Sequence, residues 1–317
     1  MGLMDKLWAM KVFARVAEAG SFSRAAEALD LANASVTTCV RNLERELGVT
    51  LLHRDTRRLR MTEEGEAYLG HARRILQSVE EADADVQSRH GALSGRLVIE
   101  TPISFGHALL CPALPRFAAR YPGISTSVTL TNQPHHLIER AIDVAIRMDR
   151  VEDAELVARP IYEATYITCC TPEVAAALPA SPAELDARLC LGVLREERAV
   201  SNPWTWTPES GGDTVTLRPQ GTLHFNTNDA AVGAALSGAG IVRALDIFVG
   251  RHIEQGRLVA LFPGWTTSTR TFFAVTTRAR LTSAKVRVFH EFLAEIIDEE
   301  HRPTLHRSVQ VRSIGKR

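Results

Sequence analysis

Several things are scarce in this sequence, and each scarcity narrows what it can be. Cysteine is one: Cys39, Cys111, Cys169, Cys170 and Cys190 make an odd set of five with no C-x-x-C spacing. Adjacent Cys169 and Cys170 are poorly placed to bridge each other. The expectation is therefore a reducing compartment and buried structural thiols, ahead of a thiol redox sensor. Long apolar runs are also missing: no stretch approaches the roughly 18 residues that a membrane helix needs. No signal-peptide core follows the start. Together these lead us to expect a soluble cytoplasmic protein with no membrane partner. Net charge is missing too, with 37 Lys and Arg against 37 Asp and Glu. That balance excludes a wholly basic coating protein but leaves a local basic face open.

Enzyme signatures are equally sparse. The sequence contains no P-loop, no G-x-S-x-G elbow and no H-E-x-x-H. Gly238-x-Gly240 lacks the rest of a dinucleotide fingerprint and reads as tight packing. His135 and His136 are adjacent, point differently and make a poor metal pair. No metal site, catalytic residue or resident cofactor is expected.

What is present suggests two domains, since 317 residues is long for one. In the first segment Leu7, Met10, Ala14 and Ala17 recur at helical spacing, with Phe13 and Val16 widening the stripe. Gly20 stops that helix, and Ser21 and Ser23 can cap a second through Leu29. After a break at residues 30–33, a third helix runs from about Ala34 to Leu47, with Val36, Val40, Leu43 and Leu47 inward, and Gly48 ends it. Two short helices with a tight break, packed on a first, make a helix-turn-helix. Residues 51–62 then place apolar flanks around a basic tip, as a two-stranded wing would. Thr62, followed by Glu63 and Glu64, can cap a long helix to about Gln87. Leu69, Ala72, Leu76, Val79 and Val86 form a near-heptad seam on it, interrupted at Asp83, which predicts dimerisation.

Composition changes around Gly91–Gly95. Strands are expected at Leu97–Glu100, Ser127–Leu130, Asp143–Ile146, Tyr166–Cys170, Thr222–Phe225, Ile241–Ala244 and Thr271–Val275. Helices are expected at His107–Arg120, His135–Ala141 and Asp229–Ser237. This alternation predicts a mostly parallel sheet covered by helices. Trp204 and Trp206 alternate as in a strand with both rings in the core. The tail beyond Arg302 is polar and basic, and is expected to be mobile.

The third helix carries Ser35, Thr37, Thr38, Arg41, Asn42 and Arg45 outward or at its flanks. Arg can fork onto guanine, Asn can pair with adenine, and hydroxyls reach bases or phosphates. Ser23 sits at the start of the helix before it. The wing adds Arg54, Arg57, Arg58 and Arg60, suited to phosphate or a narrow minor groove. In the second half, Thr101 and Ser104 follow a strand and precede a helix, where hydroxyls and helix-start N–H groups favour a carboxylate. Asn132 and Arg147 end the next two strands, and Asn226, Thr227 and Asn228 precede the helix at Asp229. Ser104 and Asn228 read equally as helix caps, and Arg147 as a structural ion pair.

Ala19-Gly-Ser-Phe-Ser-Arg-Ala-Ala-Glu-Ala-Leu29 and Ser35-Val-Thr-Thr-Cys-Val-Arg-Asn-Leu-Glu-Arg-Glu-Leu-Gly-Val49 strongly resemble the helix-turn-helix of LysR-type transcriptional regulators. Leu52-His-Arg-Asp-Thr-Arg-Arg-Leu-Arg-Met-Thr-Glu-Glu-Gly65 resembles their wing and linker start. Thr101-Pro-Ile-Ser-Phe-Gly106, Ile142-Asp-Val-Ala-Ile-Arg147 and Gly238-Ala-Gly-Ile241 resemble their second domain. The resemblance implies an N-terminal all-α winged helix-turn-helix (1–62) and a dimerising linker helix (63–92). It also implies a periplasmic-binding-protein-like α/β effector domain (93–303) and a flexible tail (304–317). Subdomain I would comprise 93–165 and 267–303, and subdomain II 166–266. The resemblance places DNA contacts on Ser35, Thr37, Thr38, Arg41, Arg57 and Arg58, with Thr38 standing where the family often has a basic residue. It places Ser104, Asn132 and Thr227 at the effector pocket.

The function expected is sequence-specific binding of double-stranded promoter DNA by a homodimer or tetramer, under a small-molecule effector, with RNA polymerase as a further partner. An enzyme, a solute-binding protein and an architectural DNA binder are the rivals. Turnover of a ligand would favour the first. The helix-turn-helix argues against the second, and a protein unchanged by any ligand would favour the third.

Overall fold

The computed structural model describes residues 3–54, 59–88, 93–149, 151, 153–195 and 198–301 of the chain. Arg57 and Arg58 at the wing tip, and the tail expected to be mobile, lie outside the described residues. The first unit comprises α1 (Leu3–Ala19), α2 (Phe22–Leu29), α3 (Asn33–Leu47), β1 (Leu52–Arg54), β2 (Leu59–Met61) and α4 (Glu63–Ser88). Gly20 and Gly48 end α1 and α3 at φ +60° and +71°, where a side chain would be strained. Ser21 caps α2 by accepting the Arg24 N–H at 3.5 Å. Val36, Val40 and Leu43 of α3 are fully buried with Val12, Phe13 and Val16 of α1 and Ala25 of α2.

The wing is a true antiparallel pair, Leu52 facing Met61 and Arg54 facing Leu59. Glu44 of α3 holds it in place, its Oε1 accepting the Leu51 and Leu52 N–H groups at 2.9 and 3.1 Å. Thr62 caps α4 as expected, accepting the Gly65 N–H at 2.9 Å while donating to Thr50 O at 2.8 Å. A Cβ on Gly65 would lie 2.1 Å from Leu51 O, so only glycine lets α4 start this close to the wing.

The apolar seam of α4 is divided differently from the sequence expectation. Leu69 and Ala72 are buried, Leu69 within the core of the helix-turn-helix, and Leu76 packs against the same core. Tyr68 meets Phe13 edge-on at 5.7 Å. That half of the seam therefore belongs to the chain's own first unit. Among the described apolar side chains of α1 and α4, Trp8, Ile75 and Val79 are left open, at 40–44 % exposure.

The second unit begins with β3 (Gly95–Thr101), α5 (Ile103–Phe105), a π turn (Gly106–Leu110) and α6 (Cys111–Arg120). It continues through β4 (Ile124–Leu130), β5 (Val144–Met148), β6 (Leu156–Cys170) and α7 (Pro172–Ala175). The chain then forms β7 (Gly192–Arg195), β8 (Arg198–Ser201), β9 (Trp204–Pro208), β10 (Val215–Leu217), β11 (His224–Phe225) and α8 (Asn228–Leu236). Last come β12 (Val242–Leu245), α9 (Asp246–Glu254), β13 (Val259–Ala260), β14 (Trp265–Thr266), β15 (Thr269–Thr277) and α10 (Ala284–His301).

The main sheet has the order β12-β6-β15-β5-β3-β4, with β13 also on β6. It is mixed, where a mostly parallel sheet was expected. β3 pairs parallel with β4 and β5, but β15 returns antiparallel between β5 and β6. The first half of β6 pairs with β15, and its second half with β12 and β13, so one long strand serves two lobes. Phe105, Phe117, Phe272, Phe289 and Phe292 fill the first lobe, each at most 1 % exposed. Each such ring contributes on the order of 1.5–3 kcal/mol on burial. Trp204 and Trp206 are buried in the second lobe, as expected, 6.0 Å apart edge-on.

The helix expected at His135–Ala141 is only a turn. Its start is captured elsewhere, because the His135 N–H donates to buried Glu100 Oε1 at 3.3 Å. Its end is broken by Ala141 at φ +53°. The helix α10, absent from the sequence expectation, caps the first-lobe core with Phe289, Phe292, Leu293 and Ile296.

Asp143, fully buried, fastens this lobe. It accepts the Val98 N–H at 2.8 Å, Arg280 Nη1 at 2.9 Å and Lys285 Nζ at 3.2 Å. Asp143→Ala leaves two buried cations without their carboxylate, so we expect a loss of about 3–5 kcal/mol in stability, read from urea unfolding. An unchanged unfolding midpoint would show the trio to be dispensable.

Candidate functional site

Two sites emerge, one on each unit. On the first, the buried row of α3 forces its other side outward. Ser35, Thr38, Arg41, Asn42 and Arg45 are exposed, and Thr37 is half-buried at the flank. Arg45 Nη1 donates to Asn42 Oδ1 at 2.8 Å, so one tether orders two of these side chains. Ser23, exposed on α2, accepts a hydrogen bond from Asn33 Nδ2 at 3.3 Å and so ties the two helix starts together. Arg54 is the last residue of the first wing strand, and Arg60 is exposed on the second. Exposed Arg24 joins them and was not singled out from sequence. Polar forks on a helix of this width suit the major groove, and wing cations suit phosphate.

The second site is a cleft of about 610 Å³ between the two lobes of the second unit, a size typical of small-molecule pockets. Ser104 and Asn132 line it, as expected. Both are already engaged across the gap. Ser104 Oγ donates to Asp229 Oδ1 at 2.8 Å and accepts the Asn228 N–H at 3.2 Å. Asn132 accepts the Ile103 N–H at 3.2 Å and donates to Asn226 O at 3.3 Å. His107 adds a contact to Asp229 Oδ2 at 3.0 Å. Burial opposes the Asp229 charge, but hydrogen bonds from His107, Ser104 and Thr227 outweigh it and hold its pKa below the ordinary value. The protein thus seats a carboxylate of its own where the sequence had suggested a ligand's.

Three sequence candidates fall elsewhere. Arg147 points away from the cleft, because neighbouring strand residues face opposite ways and Met148 takes the cleft side. Arg147 instead pairs with Glu100 Oε1 at 2.5 Å and donates to His135 O at 3.2 Å, which is the ion-pair alternative. Glu100 and His135 line a separate cavity of about 520 Å³ between α1, α4 and the first lobe. Thr101 is fully buried, its methyl group packed against Gly106 at the π turn. Thr227 is the N-cap residue of α8, while Asn226 and Asn228 on either side take the cleft wall.

The cleft residues that sequence reasoning missed include Tyr166, Arg243, Phe248, Arg270 and Phe272. They come from β6, β12, α9 and β15, and no local motif links them. Among the described residues no group of three or more His, Cys, Asp or Glu is placed to hold a metal ion. No described helix is long and apolar enough to cross a membrane.

A winged helix-turn-helix joined by a long helix to a two-lobed α/β domain with a central cleft defines a ligand-responsive DNA-binding regulator. The comparisons make the class specific. Residues 7–66 match the model for the bacterial regulatory helix-turn-helix protein, lysR family, and residues 90–297 match the LysR substrate binding domain. An HTH-type transcriptional repressor of Pseudomonas aeruginosa is 33 % identical over 93 % of each chain. The HTH-type transcriptional regulator CrgA of Neisseria meningitidis is 35 % identical over 90 % of this chain and 95 % of its own. The solved structure of CrgA matches with a TM-score of 0.59 at 33 % identity, over 91 % of this chain and 98 % of CrgA. The fold is also that of full-length AphB from Vibrio cholerae, with a TM-score of 0.59 at 24 % identity, over 93 % of this chain and 99 % of AphB. The chain belongs to the LysR family of transcriptional regulators, with a helix-turn-helix DNA-binding domain and an effector-binding domain.

Cys39 lies half-buried on α3, whereas Cys169, Cys170 and Cys190 are buried in the second lobe. Burial pushes Cys169 up to about 12, with neighbouring Cys170 adding to the rise, and it pushes Cys170 up to about 11. Burial, then the Asp186 charge, pushes Cys190 up to about 12. A thiol held protonated by folding gives its full stabilising share below its unfolded pKa and loses it as pH rises toward the folded value. In the unfolded chain all three ionise near 9.0, the ordinary value of a thiol. We therefore expect stability to fall with pH above about 9, and these three thiols to resist alkylation at neutral pH in the native protein. Rapid labelling of Cys169, Cys170 or Cys190 in the folded protein with iodoacetamide would contradict this burial.

Proposed function

We propose that this regulator binds a pseudo-palindromic promoter site as a dimer, or as a pair of dimers, with α3 of each protomer in successive major grooves. The observation that carries the reading is the division of α3. Its fully buried Val36, Val40 and Leu43 leave Ser35, Thr38, Arg41, Asn42 and Arg45 as one outward polar row beside the wing. In this reading Arg41 and Arg45 read base edges. Ser23, Ser35, Thr37 and Thr38 add base or backbone contacts, and Arg54, Arg57 and Arg58 hold phosphate. Trp8, Ile75 and Val79 form the apolar patch on α1 and α4 that a second protomer covers. A small molecule in the cleft favours one arrangement of the lobes, and the shift is limited by its differential affinity for the two arrangements. The effector binds reversibly, without a resident cofactor. The protein works beside the chromosome in the cytoplasm and alters access of RNA polymerase to the promoter.

A gel shift on DNA from upstream of its own gene, with random DNA as competitor over a salt series, tests the reading. Arg41→Ala should lower specific affinity by about 10-fold or more, whereas Ser104→Ala should leave DNA affinity without effector nearly unchanged. Equal losses would defeat this division of labour. The double change Ile75→Glu and Val79→Glu should shift the protein to monomer in sedimentation. An undiminished dimer would place the interface elsewhere.

A further inference from the structure

Two guanidinium groups line the cleft, Arg243 and Arg270, while the Asp229 carboxylate at its mouth is taken up by Ser104 and His107. The two differ in one respect. Arg270 is paired with Asp149 at 2.5 Å. Arg243 is only 8 % exposed and, among the described residues, has no carboxylate partner, while the Nε of each is buried without a hydrogen-bond partner. Its guanidinium carbon lies 4.2 Å from the centroid of the Tyr166 ring, and its Nη2 donates to Ser268 Oγ at 3.2 Å. Burial lowers its pKa, an effect only partly offset by Tyr166. Arginine nevertheless keeps its proton in proteins, so this is a positive charge taken out of water with no anion beside it. The buried Arg280 of the same domain is treated in the opposite way, with Asp143 at 2.9 Å. With one face covered by Tyr166, the N–H edges of Arg243 remain, and they match the two oxygens of a carboxylate. Around it the walls are aromatic: Tyr166, Trp204, Phe248 and Phe272.

We propose that the effector class is an aromatic monocarboxylate, its carboxylate forked by Arg243 and its ring set among Tyr166, Phe248 and Phe272. This rests on the regulator reading above and names the ligand of that cleft. The anchor also lies where the two lobes join. Tyr166 N donates to Ser268 O at 3.3 Å, and Thr267 Oγ1 donates to Tyr166 O at 2.5 Å, tying the two crossing segments together. Arg243 touches both segments, so a ligand that completes its charge acts directly on the hinge. A carboxylate is favoured over a phosphate because the one positive charge without a carboxylate, that of Arg243, is met by a single negative charge.

The test uses thermal unfolding of the full-length protein with benzoate, benzamide or phenylphosphonate at about 10 mM, against sodium chloride of equal ionic strength. Benzoate should raise the melting temperature by about 2 °C or more, phenylphosphonate less, and benzamide not at all. Arg243→Met should abolish the benzoate shift. Its ligand-free melting temperature should not fall, because the substitution removes an unpaired buried charge and keeps most of the volume. Arg243→Lys should keep a benzoate response weakened by about tenfold, since a point charge replaces the fork. Four results would each overturn the proposal: no response to benzoate, an equal response to benzamide, a larger response to phenylphosphonate, or a benzoate shift that survives Arg243→Met. If Arg243→Met fails to fold, the lysine variant and the benzamide comparison decide. A gel shift of the unmodified protein on its operator separates the two levels. Retained DNA binding with no benzoate response would reject the ligand class alone, whereas lost DNA binding would reject the regulator reading itself.

Discussion

Nine residue pairs, from Thr269 opposite Thr165 to Thr277 opposite Leu156, hold β15 antiparallel to β6. This ladder is the constraint from which the regulatory half follows. The chain leaves the first lobe on β6 and returns on β15, so both crossings lie side by side and cannot move independently. β15 also pairs with β5, which binds the ladder to the parallel core strands. Leu245 and Ile247, from the second lobe, are buried in the first-lobe core. The lobes therefore share apolar contact on one side and face each other across polar contacts on the other. That asymmetry is what a hinge with a cleft requires.

Charge follows the same geometry. Strand alternation sends Arg147 and Glu100 to the side of the helix-turn-helix unit, while Met148 and Arg243 face the cleft. Buried carboxylates elsewhere in the domain each have a cation: Glu100 has Arg147, with His135 as a further hydrogen-bond partner, and Asp143 has Arg280 and Lys285. In the cleft the pattern reverses at Arg243, which is buried with no carboxylate partner among the described residues. At its mouth the gap is bridged by Asp229 with Ser104 and His107, and by Asn132 with the Asn226 carbonyl. These bridges are few and partly exposed, so their net contribution is small, and a ligand can shift the balance of the lobes.

The DNA-binding unit obeys a different constraint, that of a small core. Its three helices bury one apolar face each and have little more to offer, so the wing must be held by polar means. Glu44 binds the wing backbone, Thr62 turns the chain into α4, and Gly65 lets the helix pass close to Leu51. The first turns of α4 then complete the core through Leu69 and Ala72, and α4 leaves apolar surface free at Ile75 and Val79. One helix thus serves the chain's own core at its start and exposes a further patch beyond it.

Periodicity determined the helix-turn-helix from sequence alone. Its contacts are local, and Val36, Val40 and Leu43 at helical spacing admit one buried face. The glycine stops at 20 and 48 and the Thr62 cap were legible for the same reason, since each acts within a few residues. The cleft was legible only in outline. Ser104 and Asn132 could be placed at strand ends, but their partners Asp229 and Asn226 lie 125 and 94 residues away. Arg147 was placed on the wrong side because being at a strand end does not say which way a side chain points, and only the pairing register does. The seam on α4 showed an apolar stripe without saying whether α1 or a second protomer would cover it. Arg243 carried no signal at all, being one arginine in an apolar run. Local physical chemistry acts over a turn or a few residues and is written in the order of the chain. The anchoring charge, its aromatic cover and the hinge exist only once β6, β12 and β15 are brought side by side.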